Sequence, residues 1–307
     1  MKIMITGGNG FIGSHLVDSL FTKNHNLCII SRNNFSNILK YKKNIQFEKI
    51  DVSNFSKLEN IIKNFNPDEI IHLAGNTSHS VSFEKPFFDL NSNLKSTLNI
   101  LEIIKKNKLN SRLILGSTFV VVGKPSKIPV DENSICNPTT IYGINKFTSE
   151  MYCKIYNKIH NVNSTIFRIT NSFGPREQII PNKNAINYLI YRAYKGEKIT
   201  LYNEGKIFRD LIYVSDVVNG IEKIITNGKS NEMYWISSFK KTWLYELGKL
   251  LEKHTDAKVE FIESPSYTNK VDVGNFIADN NKLKKLGWKQ NVSVELGIKK
   301  TLEYFKK

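Results

Sequence analysis

The first half of the chain alternates short apolar runs with longer segments in which apolar residues recur every three or four positions. The short runs predict strands, and the longer segments predict amphipathic helices. Regular strand–helix alternation is typical of a parallel sheet with right-handed crossovers. The predicted strands are Lys2–Thr6, Leu27–Ser31, Ile45–Ile50, Glu69–Leu73, Arg112–Gly116 and Ser164–Arg168, and the predicted helices are Ser14–Thr22, Ser56–Phe65, Asn91–Lys106 and Ile144–Ile159.

From about residue 175 the alternation becomes irregular, which indicates a smaller mixed α/β lobe packed on the sheet. We therefore predict a first domain over residues 1–174 and a second lobe over residues 175–307. The elements predicted in this second part are the strands Ile199–Tyr202 and Met233–Ile236 and the helices Ala185–Tyr194, Ser215–Thr226, Thr242–His254 and Val294–Phe305.

Three glycines, Gly7, Gly10 and Gly13, follow the first predicted strand and precede the first predicted helix. Glycine allows a tight turn and a close approach of the backbone to a ligand, and a helix N-terminus offers free N–H groups to a pyrophosphate. A glycine-rich turn without a ligand is the alternative. The strand before and the helix after favour dinucleotide binding, with Phe11 and Ile12 beside the glycines. The fold class we predict is α/β, a Rossmann-type doubly wound parallel sheet with a smaller C-terminal substrate lobe.

The end of the second predicted strand carries Ser31 and Arg32, where NAD sites usually have a carboxylate. An arginine can pair with the 2′-phosphate of NADP, so we expect NADP(H), with NAD(H) as the alternative. In that alternative, Arg32 is a solvated neighbour of the site. Asp51, beside Val52 at the end of the third strand, accepts from the adenine amino group, caps the next helix, or does both.

Tyr142 and Lys146 lie four residues apart at the start of a predicted helix and therefore share one face. A nearby ammonium favours the phenolate, which makes Tyr142 a candidate general acid/base. Lys146 can also hold a cofactor ribose. Ser117 and Thr118 end the fifth strand, at the sheet edge where ligands bind in such folds. Either hydroxyl could bond the reacting oxygen, although each could instead be a strand-end cap.

Composition and charge exclude several classes of function. The formal net charge is +16, but the lysines are scattered and form no basic stripe interleaved with aromatic residues, so we expect no nucleic-acid partner. Part of this charge could serve an anionic substrate. No apolar run reaches the roughly 20 residues of a membrane span. The N-terminus is a poor signal peptide, and we expect a cytoplasmic protein. Three widely spaced cysteines and no histidine cluster predict no metal site.

Several motifs in order along nearly the whole chain resemble the extended short-chain dehydrogenase/reductase family, in particular its NAD(P)-dependent nucleotide-sugar epimerase/dehydratase group, typified by UDP-glucose 4-epimerase. They are TGGNGFIG, IIHLAG, NSNLKST with Asn93, the set Thr118, Tyr142 and Lys146, RITNSFGP with Arg168 and Asn171, IFRDLIYVSDVV with Arg209 and Asp216, and the closing segment ADNNKLKKLGW.

The resemblance implies a set of binding residues and a partner. It implies a nucleoside-diphosphate sugar as substrate and a homodimer formed through the helices that start near Asn91 and Tyr142. Thr118 and Tyr142 would flank the C4 oxygen of the sugar. The implied cofactor contacts further include Leu73, Ala74, Gly75, Asn93 and Lys146, and the implied substrate contacts include Ser117, Asn171, Arg209 and, in place of a late arginine of the family, Lys270.

Departures from the family pattern direct the functional prediction. Family dehydratases carry Thr-Asp-Glu where this chain has Thr118-Phe119-Val120, so dehydration is not expected. Arg32 favours NADPH, which suits an enzyme that delivers hydride once. We therefore expect an NADPH-dependent reductase of a nucleotide-linked 4-keto-6-deoxy sugar. C4 epimerisation of a nucleotide sugar is the alternative, and a non-catalytic NADP-binding sensor is a distant one, since sensors usually lack the Tyr/Lys pair.

Overall fold

The computed structural model describes residues 1–33, 36–181, 184–263 and 272–307. Within these residues, seven strands form one sheet in the order β3-β2-β1-β4-β5-β6-β11, and every neighbouring pair is parallel. The strands of this sheet are β1 (Lys2–Thr6), β2 (Asn26–Ser31), β3 (Gln46–Lys49), β4 (Glu69–His72), β5 (Arg112–Thr118), β6 (Ser164–Ile169) and β11 (Met233–Ile236). This doubly wound order confirms the predicted Rossmann-type fold class.

Helices cover both faces of the sheet, which is why its strands are apolar at nearly every position. Ile3 and Ile5 of β1 pack with α1 and α8 on one face, and Met4 packs with α2, α5 and α6 on the other. All three side chains are fully buried. The helices of these two layers are α1 (Phe11–Thr22), α2 (Phe55–Phe65), α5 (Ser96–Lys106), α6 (Ile141–His160) and α8 (Val214–Asn227).

A smaller lobe is built from short strand pairs around its own apolar cluster. This cluster includes Phe173, Leu201, Leu211 and Leu247, all buried. The paired strands are β7 (Asn171–Phe173) with β10 (Leu211–Tyr213), β8 (Ile199–Tyr202) with β13 (Val259–Ile262), and β9 (Phe208–Arg209) with β12 (Thr242–Trp243). The helices in the rest of the C-terminal part are α7 (Ala185–Tyr194), α9 (Leu244–His254), α10 (Asn281–Lys284) and α11 (Val294–Phe305).

The helices predicted from Ser14 and Ile144 begin three residues earlier, at Phe11 and Ile141, and two other predicted helices begin with a different structure. The helix predicted over Asn91–Lys106 begins with a π-turn at Asn91–Lys95, preceded by α3 (His79–Glu84) and α4 (Pro86–Leu90). A π-turn inserts a residue into the helical repeat, which apolar periodicity does not reveal. The helix predicted over Thr242–His254 begins only at Leu244, because Thr242 and Trp243 pair with β9 instead.

Two segments that the sequence placed in the smaller lobe belong to the main sheet layer. β11 pairs with β6 as an edge strand, and α8 packs against α1 through Val217 and Ile221. The chain therefore leaves the main sheet layer after β6 and returns to it with α8 and β11. The division at residue 174 remains a proposal, but the sheet uses residues from both sides of it.

Several large apolar side chains are exposed on the α4 and α6 helices. Phe87 is 80% exposed, and Ile144, Ile155 and Ile159 are each more than half exposed. No helix in the described part of the chain is long and apolar enough to cross a membrane.

Candidate active site

The predicted site residues lie at one edge of the sheet. β5, β4, β1 and β2 are adjacent and parallel, so their carboxyl ends meet. Thr118 ends β5, Leu73 follows β4, Gly7 follows β1 and Ser31 ends β2. In open α/β sheets, ligands bind in the crevice outside these strand ends. The topology therefore brings the cofactor and reaction candidates together.

The glycine turn has no room for larger residues. Gly7 has φ of +73°, and a Cβ there would lie 2.8 Å from the backbone nitrogen of Ala74. A Cβ on Gly13 would overlap the carbonyl oxygen of Gly7. No side chain caps the N-terminus of α1 at Gly10. The N–H groups of Phe11 and Ile12 in the first turn are therefore available to an anion, as a pyrophosphate site requires.

Arg32 lies between a carboxylate and an aromatic ring at the end of β2. Its Nη1 is 3.8 Å from Oδ2 of Asp51, and both side chains are more than 40% exposed. Its guanidinium also lies over the Phe88 ring at 5.0 Å from the ring centroid. Ser31 Oγ accepts from the N–H of Asn33. The long, exposed Arg32–Asp51 pair leaves the guanidinium accessible to a ligand.

Asp51 forms a local turn and does not cap the following helix. Its Oδ1 accepts from the N–H of Ser53 at 2.8 Å, whereas Asn54 caps α2. The capping alternative for Asp51 is therefore wrong. Val52 is buried, and its carbonyl accepts from Nδ2 of Asn99, which fixes this segment at the edge of the sheet.

Thr118, Tyr142 and Lys146 converge at the start of α6. Thr140 caps this helix. The Thr118 hydroxyl lies near the Tyr142 phenol. Burial raises the pKa of Tyr142 to about 12, although the Thr118 contact favours the phenolate. Burial lowers the pKa of Lys146 to about 8, against the opposing effect of anionic groups nearby. Since the ammonium has no hydrogen-bond partner among the described residues, its donors remain available for a ligand.

Ser117 points away from these residues. Its hydroxyl donates to Oε1 of Glu150 at 2.5 Å, and Glu150 also pairs with Arg168 at 2.6 Å. Arg168 is almost completely buried and stacks on Trp235, 5.4 Å from the ring centroid. Successive side chains of a strand point to opposite faces, so the structure brings Thr118 to Tyr142 but directs Ser117 to the Glu150–Arg168 pair.

His72 is part of a buried hydrogen-bond chain behind the site. Ser96 Oγ donates to the carbonyl of Ser92, so it accepts from Nε2–H of His72 at 3.1 Å. Nδ1 then accepts from Thr6 Oγ at 2.6 Å, and Thr6 in turn accepts from the N–H of Ala74. Burial lowers the pKa of His72 to about 3, so the ring is neutral. The chain fixes the position of the segment that follows β4.

Asn93 lies in the π-turn and faces Gly75. A Cβ on Gly75 would overlap Oδ1 of Asn93, so only glycine fits there. Nδ2 of Asn93 donates to the carbonyl of Asn76 at 3.1 Å and to Oδ1 of Asp89 at 3.0 Å. The Asn93 carbonyl accepts from the hydroxyl of Ser149 on α6 at 3.1 Å. The π-turn thus ties this segment to the helix that carries Tyr142 and Lys146.

The substrate candidates in the smaller lobe lie on β7 and β9. Oδ1 of Asn171 is buried without a hydrogen-bond partner among the described residues. Arg209 Nη2 donates to Oδ1 of Asp272 at 2.6 Å, and its Nη1 donates to the carbonyl of Gly274. Burial lowers the pKa of Arg209, and Asp272 opposes this. Lys270 lies outside the described residues.

Two titratable residues beside Tyr142, His79 and Asp89, are not part of the predicted site. The His79 ring meets the Tyr142 ring edge-on, with the centroids 5.3 Å apart. Burial lowers the pKa of His79, while Asp89 opposes this. Both residues precede the NSNLKST motif in the sequence, and no pattern of spacing connects either of them to Tyr142.

The fold and this set of residues define an extended short-chain dehydrogenase/reductase. The chain belongs to the NAD dependent epimerase/dehydratase family, whose model matches residues 3–237.

Individual relatives cover the whole chain. A putative UDP-glucose 4-epimerase of Methanocaldococcus jannaschii is 30% identical over 99% of this chain and 98% of its own length. The structure of UDP-glucose 4-epimerase from Thermotoga maritima, with UDP-glucose, has a TM-score of 0.91 at 30% identity and covers 100% of this chain and 99% of that one. The structure of UDP-glucuronic acid 4-epimerase from Bacillus cereus, with UDP-glucuronic acid and NAD, has a TM-score of 0.88 at 25% identity, with 100% and 99% covered.

Proposed function

We propose that this protein is a nucleotide-sugar 4-epimerase that uses a tightly held NAD. The observation that carries the proposal is the buried contact between Thr118 and Tyr142, with Lys146 one helical turn away at the carboxyl edge of the sheet. The relatives named as UDP-glucose 4-epimerases, which match along their full length, support the C4 reaction. The three residues also argue against the sensor alternative.

Tyr142 is the proposed acid/base for the C4 hydroxyl. As the hydroxyl is oxidised, its proton passes to the phenolate, and the phenol returns that proton when the ketone is reduced. The phenolate must therefore form easily, yet burial raises the pKa of Tyr142 to about 12. The Lys146 ammonium and the Thr118 hydroxyl lower the cost of the anion. Bound NAD supplies the hydride acceptor and donor.

The residues at the glycine turn and around Lys146 fit such a cofactor. The uncapped start of α1 and the crowded positions of Gly7 and Gly13 suit a pyrophosphate held by backbone N–H groups. We propose that Lys146 holds a ribose and that Asn93 lies at the nicotinamide side. Arg209 and the unpartnered Oδ1 of Asn171 are the proposed contacts to the substrate diphosphate.

The end of β5 argues for epimerisation over elimination. Phe119 occupies the position where family dehydratases carry an acid. Its ring packs edge-on against Phe276 with the centroids 5.1 Å apart, in an apolar cluster. No proton donor at this position serves the loss of water from the sugar.

The test is C4 inversion of nucleotide hexoses, followed by proton NMR. UDP-glucose, UDP-galactose and the corresponding N-acetylhexosamines are incubated with the purified protein without added cofactor. We expect one pair to equilibrate, with bound NAD released only on denaturation. Tyr142→Phe should slow this reaction by at least about a hundredfold. If none of them inverts, even with NAD added, the proposal is wrong.

A second candidate is the NADPH-dependent reduction of a nucleotide-linked 4-keto-6-deoxy sugar. Arg32 favours it, because the guanidinium is half exposed at the end of β2 and only weakly paired with Asp51. A 2′-phosphate would gain a charge-assisted hydrogen bond worth about 1.5–3 kcal/mol. In this reading, the same Tyr142 donates its proton to the C4 oxygen once in each turnover.

Titration of both cofactors into wild type and Arg32→Ala separates the two candidates. The reductase requires tighter binding of NADP(H) than of NAD(H), and loss of this preference in Arg32→Ala. It also requires consumption of NADPH with a 4-keto-6-deoxy nucleotide sugar. Equal affinities, or an unchanged preference in the variant, would remove the basis of the second candidate. Lys49→Ala is the control for a general loss of positive charge, because Lys49 ends β3, the strand next to β2.

We also propose that the chain acts as a homodimer and that residues 175–307 supply mainly the substrate lobe. Ile144, Ile155 and Ile159 are exposed on α6, one of the two helices implied by the family resemblance, and Phe87 is exposed on α4, just before the other. Large apolar surfaces of this kind are typical of interfaces. Sedimentation velocity of wild type and Ile155→Lys tests the dimer, which the lysine is expected to break.

A further inference from the structure

Asp89 is a buried carboxylate held by three carboxamides. Its side chain is completely buried. Oδ1 accepts from Nδ2 of Asn76 at 2.7 Å and of Asn93 at 3.0 Å, and Oδ2 accepts from Nδ2 of Asn145 at 2.7 Å. All three partners donate, so the arrangement suits the ionised carboxylate, which only accepts. The partners come from the segment after β4, the π-turn and α6.

The negative charge of Asp89 has no cation within ion-pair distance among the described residues. The buried carboxylates of Glu69 and Glu150 each pair with an arginine, whereas among the described residues Asp210 and Asp216 are held, like Asp89, by hydrogen-bond donors alone. Burying a carboxylate without a cation is costly, and a neutral amide in its place would turn one N–H group toward another donor. What distinguishes Asp89 is its bond to Asn145 on α6, which places its charge beside the helix that carries Lys146.

Lys146 lies next to this charge, because it follows Asn145, whose Nδ2 donates to Oδ2 of Asp89 at 2.7 Å near the start of α6. The charged and titratable groups that face Lys146 are Glu150, Cys153, Asp89 and His72, together with Tyr142 one helical turn before it. Glu150 is already paired with Arg168, at 2.6 Å. Burial raises the pKa of the Cys153 thiol to about 12, so it carries no charge near neutral pH. Asp89 is thus the unpaired anion beside Lys146 in the described part of the chain.

We propose that Asp89 is the counter-charge of the Lys146 ammonium, and that its hydrogen bonds hold Asn93 and Asn145 in place. Asp89 touches no reacting atom in this scheme and acts through Lys146, so it is a positioning residue. The proposal rests on the function proposed above for Lys146 and Tyr142.

The sign of the expected effect follows from the charges. An anion next to Lys146 favours the ammonium, so neutralising Asp89 lowers the pKa of Lys146. The same anion disfavours the phenolate, so neutralising it also lowers the pKa of Tyr142, whose other polar neighbours are Thr118 and His79. Both pKa values therefore fall, and the two limbs of the pH profile that these groups set move together to lower pH.

The first measurement is the pH profile of kcat/KM for Asp89→Asn. We expect the whole profile to move to lower pH by about one unit, since a nearby charge typically shifts a pKa by this much or more. Asn76→Ala removes one hydrogen bond to Asp89 but keeps the charge, so its profile stays in place. Asp216→Asn, at a buried carboxylate bound to the N–H groups of Asn291 and Val292, controls for the loss of a buried charge elsewhere. A lower kcat/KM with an unchanged pH dependence would show a merely structural role and overturn the proposal.

The second measurement needs no turnover and so separates this proposal from the proposed function. Competitive acylation with acetic anhydride, read by mass spectrometry of the peptide with Lys146, reports the pKa of this amine. We expect the midpoint to fall in Asp89→Asn and to stay in Asn76→Ala. If Asp89→Asn does not fold, Asp89→Ser carries the same test. An unchanged midpoint overturns the inference, whereas a lowered midpoint in a protein without epimerase activity leaves it standing and removes only the proposed function.

Discussion

Gly75→Ala is expected to destabilise the protein through a single contact. The added Cβ would overlap Oδ1 of Asn93, and the other atoms near it are at 3.4 Å or more. Asn93 must then rotate and give up its hydrogen bonds to Asp89, at 3.0 Å, and to the Asn76 carbonyl, at 3.1 Å. A bond to a charged group contributes about 1.5–3 kcal/mol and a neutral one about 0.5–1.5 kcal/mol, which gives a loss of about 2–4 kcal/mol.

The assay is thermal and urea unfolding of a double-mutant cycle. For a chain of this size, the loss corresponds to a fall in Tm of roughly 4–8 °C. In the Asn93→Ala background the overlap is absent, so Gly75→Ala should cost little there. Gly196→Ala gives the cost of backbone strain without an overlap, because its φ is +68° and its Cβ would meet nothing within 4 Å. An equal cost of Gly75→Ala in both backgrounds would refute the reasoning, since the strain would then lie elsewhere.

The remaining predictions concern the reaction and the substrate. Tyr142→Phe should keep the fold and cofactor binding but reduce turnover by about a hundred- to ten-thousand-fold. Thr118→Val should reduce turnover less, because the proton donor stays. Equal losses of turnover in steady-state assays would contradict these roles. Arg209→Ala should weaken the binding of nucleoside diphosphates at least about tenfold in calorimetry without affecting cofactor binding. Arg192→Ala, which removes a surface ion pair of the same lobe, should bind nucleoside diphosphates like wild type. A loss of cofactor binding in Arg209→Ala would show that the proposed role of the second lobe is wrong.

The sequence predicted those parts of the molecule in which neighbours along the chain are also neighbours in space. The glycine turn between β1 and α1 and the Tyr142–Lys146 pair are of this kind, since their geometry follows from local periodicity. The edge strand β11 was recognised as a strand, but nothing in the run MYWI tells which sheet it joins. That choice depends on its pairing with β6, far away in the chain.

The centre of the site was hidden from the sequence for the same reason. Asp89 meets Asn76, Asn93 and Asn145 only because a π-turn rotates the helix and α6 packs beside it. Polar residues on a helix are usually solvated, so no pattern in the sequence predicts Asp89 in the interior. The prediction for Ser117 differs for another reason: it lies at the expected edge, but its hydroxyl bonds the buried Glu150, whereas its neighbour Thr118 faces Tyr142.

The late return of the chain to the main sheet has a consequence for how the protein is made. A ribosome adds about 5–20 residues per second, so several seconds pass between the synthesis of β6 and that of β11. During this interval the outer edge of β6 is an unpaired strand, and the apolar face that α8 will cover is open to solvent. An N-terminal fragment ending at residue 174 keeps this edge permanently, and we expect it to aggregate. The smallest fragment that closes the sheet must reach Ile236, one residue short of the point where the match to the family ends.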